Sequence, residues 1–267
     1  MMDEERARRR TRRGLARRHA SWELVVGRQL ARRLPVSCLL GVLGVMLGCA
    51  VADASGSLES GSADGAGLAR MLDGMQHGLV AGFFYTPACI VQLAPLLVCM
   101  RAPHVIMRFG GAARSAWVMV RRSMLLAAVQ ALLLGSLMLL ALIVRRIQLP
   151  QGDMLAGFLS CELLALTLYF EGCSIVLVVA CLLRPGSMTV PVVATFAYGL
   201  LDYFVVLSPL KSLGLMQFGW AAVRAVSVGP SSALGSLVRM AFLCAAGVLL
   251  ISLLASSCDC LSFEDGE

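Results

Sequence analysis

The sequence predicts an all-α integral membrane protein with six transmembrane helices, a short interfacial helix before the first of them, and a cytoplasmic loop between the second and third. Apolar residues make up 58% of the 267 residues and charged residues only 15%, whereas charged residues are about 25% of an ordinary soluble domain. The apolar residues are also gathered into runs of about twenty, the length that crosses a bilayer as a helix. Composition and run length therefore exclude a soluble globular domain.

The first 33 residues hold most of the positive charge. They contain eleven arginines against four acidic residues, and the net charge of the chain is +7. Residues 1–20 are too charged and too poor in apolar side chains to fold alone, which predicts a disordered basic arm in the cytoplasm. Anionic membrane lipid is its expected partner. Nucleic acid is not expected, because no aromatic residues are interleaved to stack on bases.

Residues 21–33 predict an interfacial amphipathic helix, because their apolar side chains share one broad face. That face consists of Trp22, Val25, Val26 and Leu30. The six-span domain is expected over residues 34–256, with its first span at 34–52. An arginine-rich start followed by an apolar stretch and an Ala-Val-Ala tripeptide also fits a cleaved signal peptide. The apolar run exceeds the roughly 7 to 15 residues of a signal core, which favours a retained span.

Two glycines of the first span, Gly44 and Gly48, form a GxxxG pair that allows close helix packing. The Ser/Gly-rich residues 55–77 are expected to form an exposed external loop with one short helix around 68–75. The second span, residues 78–100, contains Pro87 and Pro95. Kinks are expected there, and the carbonyls that lose their helical donor need other partners.

The loop at residues 101–122 contains five arginines between two apolar runs with almost no charge. Basic residues are retained on the cytoplasmic side, so this loop fixes the orientation of the spans beside it. A helix is expected to restart at Ala112, with Ala113, Trp117 and Val120 on one face and Arg114 and Arg121 on its flank. Such a short basic helix would lie at the membrane surface. The alternative is a charged loop that only sets topology.

Four further spans are expected at residues 124–144, 154–183, 188–208 and 237–256. Residues 209–236 have mixed character and suit a segment at the interface or dipping partway into the membrane. The acidic residues 257–267 form a predicted cytoplasmic tail. Six spans place both termini in the cytoplasm, and this orientation puts seventeen lysines and arginines inside and six outside.

The motifs of common enzymes are missing from the sequence. There is no GxxxxGK[ST] phosphate loop, no HExxH and no GxSxG, and the chain has three histidines. Cysteines lie mostly inside apolar runs, where a thiol behaves as a small hydrophobe. Cys258 and Cys260 lack the further ligands of a zinc site. We therefore expect no catalytic residues, no metal and no cofactor in this chain.

Ionisable residues inside the spans are the remaining chemical signal, because a charge at mid-bilayer is costly and often marks a partner or a pathway. Glu162 and Glu171 are nine residues apart, which places them on opposite faces of one helix at about 100° per residue. Glu162 and Asp202 are expected at similar depth, with Arg239 at the start of the last span. Glu162, Asp202 and Arg239 are interpreted as a polar cluster that is either structural or a substrate or proton site.

The layout and one loop motif resemble the membrane subunit of bacterial ABC exporters, the ABC-2 type permease. The motif is R-F-G-(small)3-R-(x)2-W-(x)3-RR over residues 108–122, within a similarity that covers about residues 22–256. In that family the matching loop is a cytoplasmic coupling segment that docks on a separate ATPase subunit, and an elbow helix occupies the place of residues 21–33. The resemblance assigns ATPase coupling to Arg108, Phe109, Gly110, Arg114 and Trp117.

The resemblance implies an export permease in the bacterial plasma membrane, energised by a separate ABC ATPase and working as a homodimer or heterodimer. Two other functions fit the residues. One is a carrier driven by an ion gradient through Glu162, Glu171 or Asp202. The other is a membrane scaffold or sensor subunit that uses its basic arm and loop for docking.

Overall fold

The computed structural model describes residue 28 and residues 32–54, 66–100, 112–149, 152–184, 187–207 and 230–264. Every regular element in these ranges is a helix. The predicted all-α class is therefore confirmed for the described part of the chain. The following predicted segments lie outside the described residues: the basic arm, nearly all of the interfacial helix, residues 55–65 of the external loop, residues 101–111 of the loop at 101–122, and most of the segment 209–236.

The described residues contain eight α-helices and one π-helical turn. They are α1 (Arg32–Ala54), α2 (Ala66–Met75), α3 (Gly78–Val80), the π turn (Ala81–Tyr85), α4 (Thr86–Met100), α5 (Ala112–Val144), α6 (Asp153–Leu183), α7 (Thr189–Leu207) and α8 (Pro230–Glu264).

In the described part of the chain, five helical stretches are long and apolar enough to cross a membrane. They are Arg32–Ala54, Gly67–Val98, Arg114–Val144, Asp153–Leu183 and Ala233–Ser257. A helix of 19 residues, α7, lies where the sequence predicts the fifth span. Its described apolar part, Thr189–Leu201, is shorter than the other five. The chain is thus a multi-pass membrane protein by the length and composition of its helices.

Helix α6 forms the centre of the bundle and packs against α4, α5, α7 and α8. Its central residues Ala165, Leu166, Phe170 and Cys173 are completely buried. In contrast, α8 leaves a stripe of large apolar side chains exposed, including Leu234, Phe242, Leu249 and Leu253. Apolar side chains on the outside of a bundle suit contact with lipid rather than water.

Helix α2 is part of the core and not of an exposed loop, which corrects one expectation. The short helix is present where the sequence predicts it, but Leu68, Leu72 and Met75 are almost completely buried. Glycines allow α2 to approach α1: a Cβ added at Gly48 would lie 2.9 Å from the Gly74 carbonyl oxygen, and one added at Gly74 would lie 2.7 Å from Ala52 Cβ. The GxxxG pair therefore serves packing within the chain.

The π turn ends at Tyr85, two residues before the first proline of the second predicted span. Pro87 has no N–H to donate to the preceding turn, and the backbone there changes from α to π hydrogen bonding. Both the backbone N–H and the hydroxyl of Thr86 donate to the Ala81 carbonyl, the hydroxyl at 3.1 Å. A side chain thus reinforces the altered backbone, as expected for a proline inside a membrane helix.

Helix α5 corrects the prediction of a separate surface helix before the third span. The helix that restarts at Ala112 continues without a break to Val144, over 33 residues. Helix α8 likewise continues to Glu264, past the predicted end of the sixth span at residue 256.

An ion pair joins the ends of two of these helices. Arg145, just after α5, donates from Nη1 to Asp53 Oδ2 near the end of α1, at 2.8 Å. This hydrogen bond, together with the negative charge of Asp53, raises the pKa of Arg145 above its usual value. The end of the bundle that holds this pair is called the Asp53 end, and the opposite end, where α5 begins, is called the Trp117 end.

Candidate functional site

The first turns of α5 present basic and aromatic side chains together on the surface. Arg114, Trp117 and Arg121 are exposed, with Trp117 58% exposed. These three residues are called the basic-aromatic face. Ala116 and Val120 are buried against the bundle. The expectation that Trp117 and Val120 share one face was therefore wrong: residues three apart diverge by about 60°, and Trp117 lies with the arginines.

Three residues of the predicted coupling segment, Arg108, Phe109 and Gly110, lie outside the described residues. The described part of that segment, Arg114 and Trp117, is exposed and sits on a helix that continues into the membrane domain. Arginine and tryptophan are residue types that are enriched at the energetically dominant points of protein interfaces. The arrangement is suited to docking a partner at the Trp117 end.

Glu162 is buried toward the Asp53 end of α6. It is 5% exposed, and its Oε1 accepts a hydrogen bond from Gln76 Nε2 in the turn between α2 and α3. Its second oxygen, Oε2, and the Gln76 carbonyl oxygen have no hydrogen-bond partner among the described residues. Nearby, the Tyr85 hydroxyl donates to the Met75 carbonyl at 2.7 Å. The site contains more acceptors than donors.

Glu171 is also 5% exposed but faces different neighbours, as a spacing of nine residues predicts. The Ser123 hydroxyl of α5 and the Cys244 thiol of α8 lie beside it. Both groups donate to backbone carbonyls: Ser123 Oγ donates to the Val120 carbonyl at 2.8 Å, and Cys244 Sγ donates to the Leu168 carbonyl at 3.6 Å. Neither Glu171 oxygen has a hydrogen-bond partner in the described part of the chain.

The expected polar cluster of Glu162, Asp202 and Arg239 remains a prediction. Position 202 belongs to α7, and its side chain lies outside the described residues. Arg239 is exposed on α8, where its Nε donates to the Gly235 carbonyl at 3.2 Å. The described neighbour of Glu162 is Gln76, which was not among the residues predicted for this cluster.

The sequence offered only a weak signal for Gln76. It is one polar residue between a short apolar helix and a long apolar span, and its partner is 86 positions further along the chain. A second interhelical contact also joins residues far apart in the sequence: the Thr86 and Tyr169 hydroxyl oxygens lie 2.7 Å apart. Pairs of this kind depend on helix facing, which apolar spans do not reveal.

A small cavity lies apart from both carboxylates, among α1, α4, α5 and α6. Its volume is about 20 Å³, enough for roughly one water molecule. Ser37 and Gln130 are polar residues in its lining, and Gln130 Nε2 donates to Ser37 Oγ at 3.3 Å. Ser37 Oγ in turn donates to the Ala88 carbonyl at 3.2 Å. We interpret these contacts as structural.

Comparison with known proteins does not decide among the functions considered above. A scan against protein-family models, a search of curated proteins and a search of solved structures each found no match for this chain.

Proposed function

We propose that this chain is the membrane-spanning permease subunit of a bacterial ABC exporter, which moves its substrate with energy from a separate ATPase subunit. In this proposal α7 is the fifth of six spans. The Trp117 end and both termini face the cytoplasm of a bacterial cell, and two permease subunits, identical or different, form the transporter. The observation that carries the proposal is the continuity of α5 from the basic-aromatic face into the membrane.

A continuous helix is a physical means of transmitting movement. At about 1.5 Å per residue, the 33 residues of α5 extend about 50 Å, against about 30 Å of bilayer hydrocarbon. A partner that displaces Arg114 and Trp117 therefore also displaces the buried residues Ala131 and Leu134 of the same helix. Interfaces between packed helices respond to such displacement by shifting as units.

The distribution of positive charge supports the orientation. With the Trp117 end inside, seventeen lysines and arginines are cytoplasmic and six are external. The basic residues near the ends of spans set orientation, while acidic residues contribute little. Retention of α1 as a span is consistent with its packing, since Gly44 and Gly48 lie against Phe84 and Gly74.

Arg114→Glu and Trp117→Ala are expected to weaken association with the ATPase subunit. Removal of an interface hot spot costs about 2 kcal/mol or more, and each 1.4 kcal/mol is roughly tenfold in affinity. We therefore expect ATPase recovery with the tagged permease in mild detergent to require at least about tenfold more ATPase. Arg146→Glu, an exposed arginine beyond the opposite end of the same helix, is the matched control and should bind normally.

Insertion is followed in the same variants on a cysteine-free background. Gln148→Cys, exposed at the Asp53 end, should react with an impermeant thiol reagent in intact cells, while Arg121→Cys, exposed at the Trp117 end, should be protected. Reversed labelling would contradict the proposed orientation. Normal ATPase recovery by both Arg114→Glu and Trp117→Ala would instead mean that the basic-aromatic face only sets topology.

A carrier driven by a proton gradient is the second candidate, and the unpartnered Glu171 carboxylate favours it. Intramembrane carboxylates often mark ion pathways. In proteoliposomes that contain this chain alone, the carrier predicts proton uptake under an imposed gradient, abolished by Glu171→Gln. The permease predicts no such uptake and no nucleotide hydrolysis without its ATPase. Internal pH measured with an entrapped dye separates the two, and empty liposomes give the background leak.

A further inference from the structure

The contact between Glu162 and Gln76 leaves two oxygen atoms without donors. Gln76 Nε2 donates to Glu162 Oε1, while Glu162 Oε2 and Gln76 Oε1 have no hydrogen-bond partner among the described residues. The side chains are 5% and 3% exposed. An ionised carboxylate offers only acceptors, and the amide adds one carbonyl acceptor. Buried polar atoms are almost always paired, so two adjacent orphan acceptors require a donor.

The neighbouring groups do not supply that donor. The Tyr85 hydroxyl donates to the Met75 carbonyl. Cys161 precedes Glu162 on α6, but its thiol makes no hydrogen bond to Glu162 Oε2. His77, next to Gln76, accepts from the Leu79 backbone N–H through Nδ1 and stacks edge-on with Tyr203 of α7. The Asp202 side chain lies outside the described residues. Within the described ranges, no arginine forms an ion pair with Glu162.

We propose that Glu162 and Gln76 form a proton-binding site within the membrane domain. The bound proton resides on Glu162 Oε2 and is donated to Gln76 Oε1, while Gln76 Nε2 continues to donate to Glu162 Oε1. One proton thereby supplies a donor for both orphan oxygens and closes a cyclic acid–amide pair with two hydrogen bonds.

A proton fits this site better than a larger cation. The two side chains are already in direct contact and almost completely buried, whereas a metal ion or an ammonium group would have to separate them. The cavity described among α1, α4, α5 and α6 is lined by Ser37 and Gln130, and neither Glu162 nor Gln76 contributes to its lining. The site connects α6 with the α2–α3 turn whether an ATPase or an ion gradient drives transport.

Infrared spectroscopy of the purified full-length protein in lipid tests the proposal, because a protonated carboxyl group has a carbonyl stretching band separate from that of a carboxylate. At neutral pH we expect this band in the wild type and its loss in Glu162→Gln. Glu162→Gln should remain folded, since its new amide can donate to Gln76 Oε1 without a proton. The Glu171→Gln variant identifies any contribution from the other buried carboxyl.

Gln76→Leu should shift the Glu162 band to higher frequency, because both hydrogen bonds of the acid–amide pair are lost. Gln92→Leu is the matched control: Gln92 is also 3% exposed with an unpartnered carbonyl oxygen, but it lies on α4. It should leave the band unchanged. An acid band that keeps its full intensity in Glu162→Gln, or only carboxylate bands at neutral pH, would overturn the proposal. A carboxylate band that responds to sodium instead would assign the site to a metal cation and equally reject a proton.

Discussion

Replacing Gly74 by alanine is expected to destabilise the protein by about 1–3 kcal/mol, the usual cost of forcing an extra carbon into a packed interior. Alanine favours a helix more than glycine does, so helix propensity alone predicts the opposite sign. The close approach of α1 and α2 decides the result, because the new Cβ would lie 2.7 Å from Ala52 Cβ and 2.9 Å from the Ala52 backbone nitrogen. Thermal unfolding in detergent measures the effect.

Gly67→Ala is the matched control because it lies in the same helix. A Cβ at position 67 has no atom within 4 Å among those the structure describes, so only helix propensity remains. Gly67→Ala is therefore expected to stabilise the protein by up to about 1 kcal/mol. Equal effects of Gly67→Ala and Gly74→Ala would show that α2 does not pack against α1 as described.

Opposite effects on stability are expected when the two buried glutamates are each replaced by leucine. Glu171→Leu should stabilise the protein by about 1–3 kcal/mol, because it removes a buried carboxylate whose two oxygens have no hydrogen-bond partner among the described residues. Glu162→Leu should destabilise it by a similar amount, because it leaves the buried Gln76 amide without the acceptor of its hydrogen bond. Thermal unfolding of both variants in the same detergent gives the comparison.

A stabilised but inactive Glu171→Leu would indicate that the carboxylate is kept for function at a cost in stability. Glu171→Gln provides a control that retains side-chain size. If Glu171→Leu is instead strongly destabilising, a donor satisfies this carboxylate in the folded protein, either the neighbouring Ser123 hydroxyl or a group outside the described residues.

Helix class and the positions of the long apolar helices along the chain were predictable from the sequence because they depend on local properties. A run of about twenty apolar residues must satisfy its backbone hydrogen bonds internally, and a helix does so within one segment. Local sequence also predicted the helix that begins at Ala112 and the short helix at 68–75, the first from the helix-breaking Gly110-Gly111 pair and the second from the spacing of apolar residues. The continuity of α5 was not predicted, since a basic segment before a span is compatible with either a bend or a straight helix.

The facing of the helices was decided only by the tertiary structure. A helix that is apolar on all sides carries little periodic signal to show which side meets lipid and which meets a neighbour. The burial of α2, the Gly48–Gly74 approach and the contact of Gln76 with Glu162 all depend on that choice. Glu162 could be recognised from sequence as a costly intramembrane acid, but its neighbour is 86 residues away and is brought to it by packing, because only the folded bundle determines which polar atoms are buried together.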